Sequence, residues 1–318
     1  MVRTRPPTEK KRDRGQLLLV GAVIIAAIII GLVVVINTVL VTENVAKGES
    51  LDRARDTAQF DSQARRNVRS LVLRLNHDNR TVTADELNTS VHENFTSYGR
   101  LLAETYALRE PIWVNISYHN DSSTWGQRIV RNPDGKFTSP GGSNDWMAVS
   151  DYSQIGRFVL NLNVSQTETS PFYLNFTNRS GEHINISLRA QNSGGNSNIL
   201  INSPKQTGAA VCESANGRVL LDVLSGTAYT GDCEFEGPRT IDLQEPYTLR
   251  ITDGNRGYGK YGIVANTSVS PASGNYARCQ SFPTATCTAP IIWSANVTVQ
   301  YESTAILYNQ DHNVSIYP

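Results

Sequence analysis

The sequence has no surplus of charge: 29 basic residues stand against 29 acidic ones among 318, so nucleic acid is not an expected partner. It lacks the local signatures of the common enzyme classes. No Gly-x-Ser-x-Gly elbow, His-Glu-x-x-His, Gly-x-x-x-x-Gly-Lys-Ser/Thr loop or dinucleotide glycine fingerprint occurs. Glycosidase carboxylates need no local signature, which keeps an anchored hydrolase as the enzymatic alternative. There is no Cys-x2-Cys pair, and His77, His92, His119, His183 and His312 share no ligand spacing, so neither metal nor cofactor is expected. Proline is absent from Gln16 to Leu75, and a long helix there meets no breaker.

What the sequence does have is an abrupt junction. Arg3, Arg5, Lys10, Lys11, Arg12 and Arg14, against Glu9 and Asp13, precede a run from Leu17 to Ile36 made only of Leu, Val, Ile, Ala and Gly. As a helix that run is about 30 Å long and matches the hydrocarbon core of a lipid bilayer. The basic flank keeps the amino-terminal side cytoplasmic and exports residues beyond about 43. A cleaved secretory signal has a shorter apolar region followed by a small-residue site. Here the nearest downstream candidate, Asn44-Val45-Ala46, lacks a small residue three before the cut. Arg14-Gly15-Gln16 offers a cleavage site ahead of the apolar run, where Gly15 lets the backbone extend into a protease cleft.

Asp13-Arg14-Gly15-Gln16-Leu17-Leu18-Leu19-Val20-Gly21-Ala22, with Thr42-Glu43-Asn44-Val45-Ala46 closing the run, resembles archaeal type IV prepilins, in particular the pilin-like surface proteins of haloarchaea. The resemblance implies cutting by a prepilin peptidase between Gly15 and Gln16. It also implies a membrane-held subunit that pilus assembly machinery draws into a filament with other pilin subunits, in a role such as adhesion. Many such pilins hold a glutamate at the fifth mature position, where this sequence has Val20. A minor subunit, or an anchored protein that does not polymerise, therefore fits as well as a major pilin. Arginine outnumbers lysine 23 to 6, a bias shared with haloarchaeal sequences, whereas the strongly acidic composition usual in that group is missing.

All four cysteines, Cys212, Cys233, Cys279 and Cys287, lie in the expected exported part. An even number in an oxidising compartment points to disulfides with three connectivities, of which sequence proximity favours Cys212 with Cys233 and Cys279 with Cys287. Asn-x-Ser/Thr sequons begin at Asn79, Asn88, Asn94, Asn115, Asn120, Asn163, Asn175, Asn178, Asn185, Asn266, Asn296 and Asn313, all past the apolar run. They are candidate N-glycosylation sites, although Asn115, Asn163, Asn185 and Asn296 fall inside alternating runs where a plain outward polar residue reads the same way.

The expected fold class is α+β: a long transmembrane/stalk helix, a second helix, then an antiparallel β-sandwich-like head. Leu51, Ala54, Ala58, Val68, Leu71, Val72 and Leu75 extend the helical pattern, giving one helix from Leu17 to Leu75 of about 90 Å. Thr83-Ala84-Asp85-Glu86 forms a capping box, and Leu87, Val91, Phe95, Tyr98, Leu101, Leu102 and Tyr106 make the next stripe up to Pro111. Beyond it, strands are expected at 112–118, 157–164, 172–176, 183–188, 218–223, 247–251, 258–264, 292–300 and 306–308. Turn clusters at 132–135, 139–142, 192–195 and 253–255 separate them. The domains are then a basic cytoplasmic leader at 1–15, a transmembrane helix at 16–41, a helical stalk hairpin at 42–110, whose two helices are expected to pair antiparallel, and an extracellular β-rich domain at 111–318.

Three minor features invite chemistry. Asp232, Glu234 and Glu236 alternate around Cys233, which reads as a solvated strand face more readily than as paired acids or a calcium site. The glycines at 254, 257 and 259 sit between strands, in a hairpin turn and not a phosphate loop. Four tryptophans and 13 tyrosines serve a β core more readily than a carbohydrate-binding patch. The leading expectation is a non-enzymatic pilin-like protein of the cell surface. Its alternative is a signal-anchored, glycosylated binding module that does not polymerise.

Overall fold

A computed structural model describes residues 49–78, 83–108, 112–193, 196–204, 206–243, 245–267, 276–279, 286–303 and 306–317. The leader, Gly15 and Gln16, the apolar run and Asn79 lie outside the described residues. Helices α1 (Glu49–His77) and α2 (Ala84–Ala107) come first. The strands are β1 (Trp113–Lys136), β2 (Trp146–Asn163), β3 (Phe172–Asn178), β4 (His183–Ser193), β5 (Asn196–Asn202), β6 (Ala210–Glu213), β7 (Arg218–Asp222), β8 (Thr227–Ala228), β9 (Tyr247–Thr252), β10 (Tyr258–Asn266), β11 (Ala277–Arg278), β12 (Cys287–Glu302) and β13 (Leu307–Ser315). The chain divides into units Met1–Asp56 and Thr57–Pro318, and every contact described belongs to the second.

The expected fold class is corrected by these elements. Among the described residues no long amino-terminal helix is found, no helix is long and apolar enough to cross a membrane, and most of the structure is antiparallel sheet. The helices do not form a free-standing stalk either. From Thr57 on, α1 buries Phe60, Ala64, Val68, Val72 and Leu75, while α2 buries Leu87, Val91 and Phe95, in one cluster with residues of β1, β12 and β13. An apolar stripe needs a partner surface, and the sheet supplies it. The stripe is also placed differently from the expectation: Ala58 and Leu101 are exposed, whereas Phe60 and Ala64 carry the contact.

Helix α2 starts at the expected capping box, with the Glu86 amide donating to Thr83 Oγ1 at 3.2 Å and the Thr83 amide donating to Glu86 Oε2 at 3.0 Å. The helices run antiparallel: Phe60 meets Tyr106 edge-on at 5.5 Å, and Asn67 Nδ2 donates to Tyr98 at 3.0 Å. Near its end α1 inserts Asn76, which is 2% exposed, into the sheet. Its amide accepts from the Ile292 N–H at 2.9 Å and donates to the Ile292 carbonyl at 2.7 Å. These are the bonds a neighbouring strand would otherwise make, at a register break between β1 and β12.

One hydrogen-bonded network joins the strands, in the order β11-β12-β1-β10-β2-β9-β3-β4-β5-β6. Strand β2 is the turning point. Its first half pairs with β9, and its second half pairs with β10 on one side and β7 on the other. Tyr152, with φ of 47°, sits at the register shift where the pairing changes. The two layers that share β2 face each other across a core holding Phe158, Leu160, Phe172, Leu174, Phe176 and Ile263. Between β9 and β10 the chain crosses from one layer to the other, so the segment at 253–257 is a short 3-10 turn and not the expected hairpin. It passes so close to Phe137 that a Cβ on Gly254 would lie 2.2 Å from the Phe137 carbonyl oxygen.

The expected turn at 132–135 is instead a bulge inside β1, between Arg131 and Gly135. Strand β10 pairs on both sides of it, and Arg218 holds Asp134 in an ion pair. Both disulfides follow the pairing favoured by proximity, Cys212–Cys233 and Cys279–Cys287, with no free cysteine. The first ties edge strand β6 of one layer to the segment after β8 in the other, opposite the shared strand. It closes a separation of 21 residues, against 8 for the second. In a chain-entropy account, a C212S/C233S variant should lose about 3 kcal/mol and a C279S/C287S variant somewhat less. Denaturant midpoints of the two variants check this; equal or reversed losses would contradict the closing role of the first bridge.

Candidate functional surface

The strands β1, β12 and β13 have two unlike faces. Val114, Ile116, Val297 and Val299 lie against the helices. On the reverse face the ladder sets Asn115, Gln300 and Asn309 in one row. The next rows are Ser117, Thr298, Asp311 and His119, Asn296, Asn313. Directly opposed residues of an antiparallel ladder share a face, so these nine polar side chains form one solvent-facing grid. Asn115 Nδ2 donates to Gln300 Oε1 at 3.1 Å. Thr298 Oγ1 donates to Asp311 Oδ1 at 2.6 Å and lies 2.6 Å from His119 Nε2. At one rim the row Trp113, Glu302, Leu307 adds an indole that is 50% exposed.

Between His119 and Thr124 the ladder breaks and β1 bulges outward through Asn120, Asp121 and Ser122. Ser123 pins the bulge: its hydroxyl donates to the His119 carbonyl at 2.7 Å and accepts from the Asn296 amide at 2.9 Å. A sequon places its hydroxyl residue two positions after the asparagine, which is the period of a strand. Asn115 with Ser117, Asn296 with Thr298, and Asn313 with Ser315 therefore present both parts outward, and Asn120 sits in the bulge beside them. Four of the sequons thus gather on this face. That grouping was not legible in the sequence, because it depends on which strands are neighbours.

The other sequons are scattered. Asn175 and Asn185 oppose each other on β3 and β4, with Asn185 Nδ2 donating to Asn175 Oδ1 at 2.7 Å. Asn178 is 2% exposed and wrapped around Glu182, whose amide it accepts at 2.9 Å. Asn88 and Asn94 lie on α2, and Asn94 Nδ2 donates to the Ser90 carbonyl at 2.7 Å. Asn163 accepts from its own sequon hydroxyl, Ser165, at 2.9 Å, and Asn266 donates to Gln154 at 3.3 Å.

On the helix side, His312 Nε2 lies 2.6 Å from Asp61 Oδ1, Arg65 reaches Asp61 Oδ2 at 3.0 Å, and the Tyr308 hydroxyl is 3.4 Å from the same His312 nitrogen. Burial and the Asp61 carboxylate push the Tyr308 hydroxyl up to about 12. A proton relay needs the two ring nitrogens of an imidazole to serve different partners. Here both partners meet one nitrogen, and the group acts as a clamp between α1 and β13. Among the described residues no three metal-ligating side chains converge. Asp232 and Glu234 point outward around the buried Cys233, and Trp146 and Trp293 belong to the cores.

At the end of α1, His77 stands near Arg128 and Arg157 with its Nδ1 2.8 Å from the Leu73 carbonyl. Burial first, and then those two guanidiniums, lower its pKa below the ordinary value of 6.5. The unfolded chain then binds this proton more readily than the folded one. Stability contributed here is present above pH about 6.5 and declines as the pH falls below it. Thermal unfolding from pH 7.5 to 5 should show that decline, and H77Q should flatten it; an unchanged slope would remove His77 as its source.

Residues 11–144 match a family of unknown function (DUF7261), a stretch that takes in both helices and β1. No curated protein matches the chain. No solved structure matches it either.

Proposed function

We propose that the protein is a non-enzymatic, pilin-like component of the cell surface, held in the bilayer by its apolar run with the Thr57–Pro318 unit outside. Prepilin peptidase cuts between Gly15 and Gln16, and other pilin subunits with their assembly machinery are the further partners. The observation that carries this reading is the Arg14-Gly15-Gln16 junction placed directly ahead of twenty apolar residues. Two disulfides in the distal unit support an oxidising compartment. The amide and hydroxyl grid over β1, β12 and β13 supports a surface facing water or polar partners.

Val20, at the fifth mature position, favours a second reading of the same anchored protein: a minor or non-polymerising subunit that presents the polar grid and Trp113 to a neighbouring surface. Both readings share the processing step. Amino-terminal sequencing of protein recovered from native membranes should find Gln16 as the first residue, and G15F should accumulate with its leader intact. An amino terminus at Met1 or Val2 in the native protein, or normal maturation of G15F, would overturn the pilin-type reading and leave a signal-anchored binding module.

A further inference from the structure

The sequons of the distal unit are unequal as acceptors, because the ladder pairs some of them directly. Asn296 opposes Asn313, and Asn175 opposes Asn185. Opposed Cβ atoms in an antiparallel ladder lie about 4.5–5.5 Å apart, closer than two branched sugars can stand side by side on one face. Of the first pair, Asn296 is half-buried on the central strand β12, between β1 and β13. Asn313 is exposed on β13, which pairs with β12 alone among the described strands, so one flank is open to a glycan. Asn178 is the opposite case. Its Nδ2 donates to Glu182 Oε2 at 2.7 Å and its Oδ1 accepts the Glu182 amide, in a site with no outlet for a sugar.

We propose that the mature protein carries an N-linked glycan at Asn313, that each opposed pair holds at most one glycan, and that Asn178 holds none. The proposal rests on the exported location of this unit. The donor is an oligosaccharide activated on a lipid phosphate. A bond forms between the asparagine Nδ2 and the anomeric carbon, and the bond from that carbon to the phosphate oxygen breaks. Nδ2 gives up one proton, and the lipid phosphate departs with the electron pair. An acceptor must offer Nδ2 to solvent with its hydroxyl on the same side, which a sequon on an exposed edge strand does through its period of two.

The test uses full-length protein from the cells that make it. Site-resolved mass spectrometry of the Asp-directed peptide at 151–221 and the Lys-directed peptide at 261–318 covers both pairs and Asn178. Surface protease treatment of intact cells reports export separately. The expected result is glycan on Asn313, no peptide with both members of a pair modified, Asn178 bare, and an intact mass lower by one glycan in N313Q. A bare Asn313 on protease-accessible protein, a doubly occupied pair or a modified Asn178 would overturn the glycan assignment while leaving the surface location standing. A distal unit that protease cannot reach would overturn the surface location and the glycan assignment together.

Discussion

The ladder between β1 and β12 is the constraint on which the rest of the unit depends. It runs from Trp113 against Glu302 to Val130 against Cys287, with register shifts on either side of Thr124. Its halves face different cores. Val114, Ile116, Val297 and Val299 close on the two helices, whereas Ile129 belongs to the larger core between the layers. A single pair of long strands therefore fixes the register of both cores, and a slip by one residue would turn both inside out.

Three polar devices hold β1 where its pairing to β12 or to β10 alone would fail. Ser123 takes up the amide of Asn296 at the bulge, Asn76 stands in for a strand at Ile292, and Arg218 holds the Asp134 bulge from across the sheet. Each lies where the backbone leaves regular geometry, and without Asn76 the Ile292 N–H and carbonyl would be buried unpaired, at a cost of about 1–3 kcal/mol apiece. Burial pushes the Tyr261 hydroxyl up to about 12, and it lies 3.1 Å from Thr286 Oγ1 just before β12 begins. This hydroxyl stays protonated over the physiological range and adds a neutral polar tie at the other end of the strand.

Local chemistry was readable in the sequence, and lateral arrangement was not. The capping box at Thr83, alternation over β3 and β10, and cysteine proximity are interactions between residues close in the chain, and each lies where its pattern placed it. The expected turn cluster at 192–195 does fall between paired strands β4 and β5, but no strand was expected at 196–202, where Ile199 and Ile201 reach the core. Asn132 to Gly135 has turn composition, but pairing to β10 on both sides outweighs it. The helix expectation failed for a related reason: an amphipathic stripe does not say whether its partner is another helix or a sheet. Asn76, a polar residue in a helical pattern, gave no sign that it would complete a strand. The opposition of Asn296 to Asn313 depends on the register of β12 against β13, which no local pattern encodes.

The clamp of Asp61 on His312 and the bond from Arg69 Nε to the Ile316 carbonyl, 247 positions apart, have a kinetic meaning. Helix α1 emerges early from the ribosome but finds one of its binding edges only when β13 has been made. Contacts of such separation slow the search for the native state. If the unit matures outside the cell, it crosses the membrane before it can close on itself. Its amphipathic helices and open strand edges then need shielding until residues near 312 arrive.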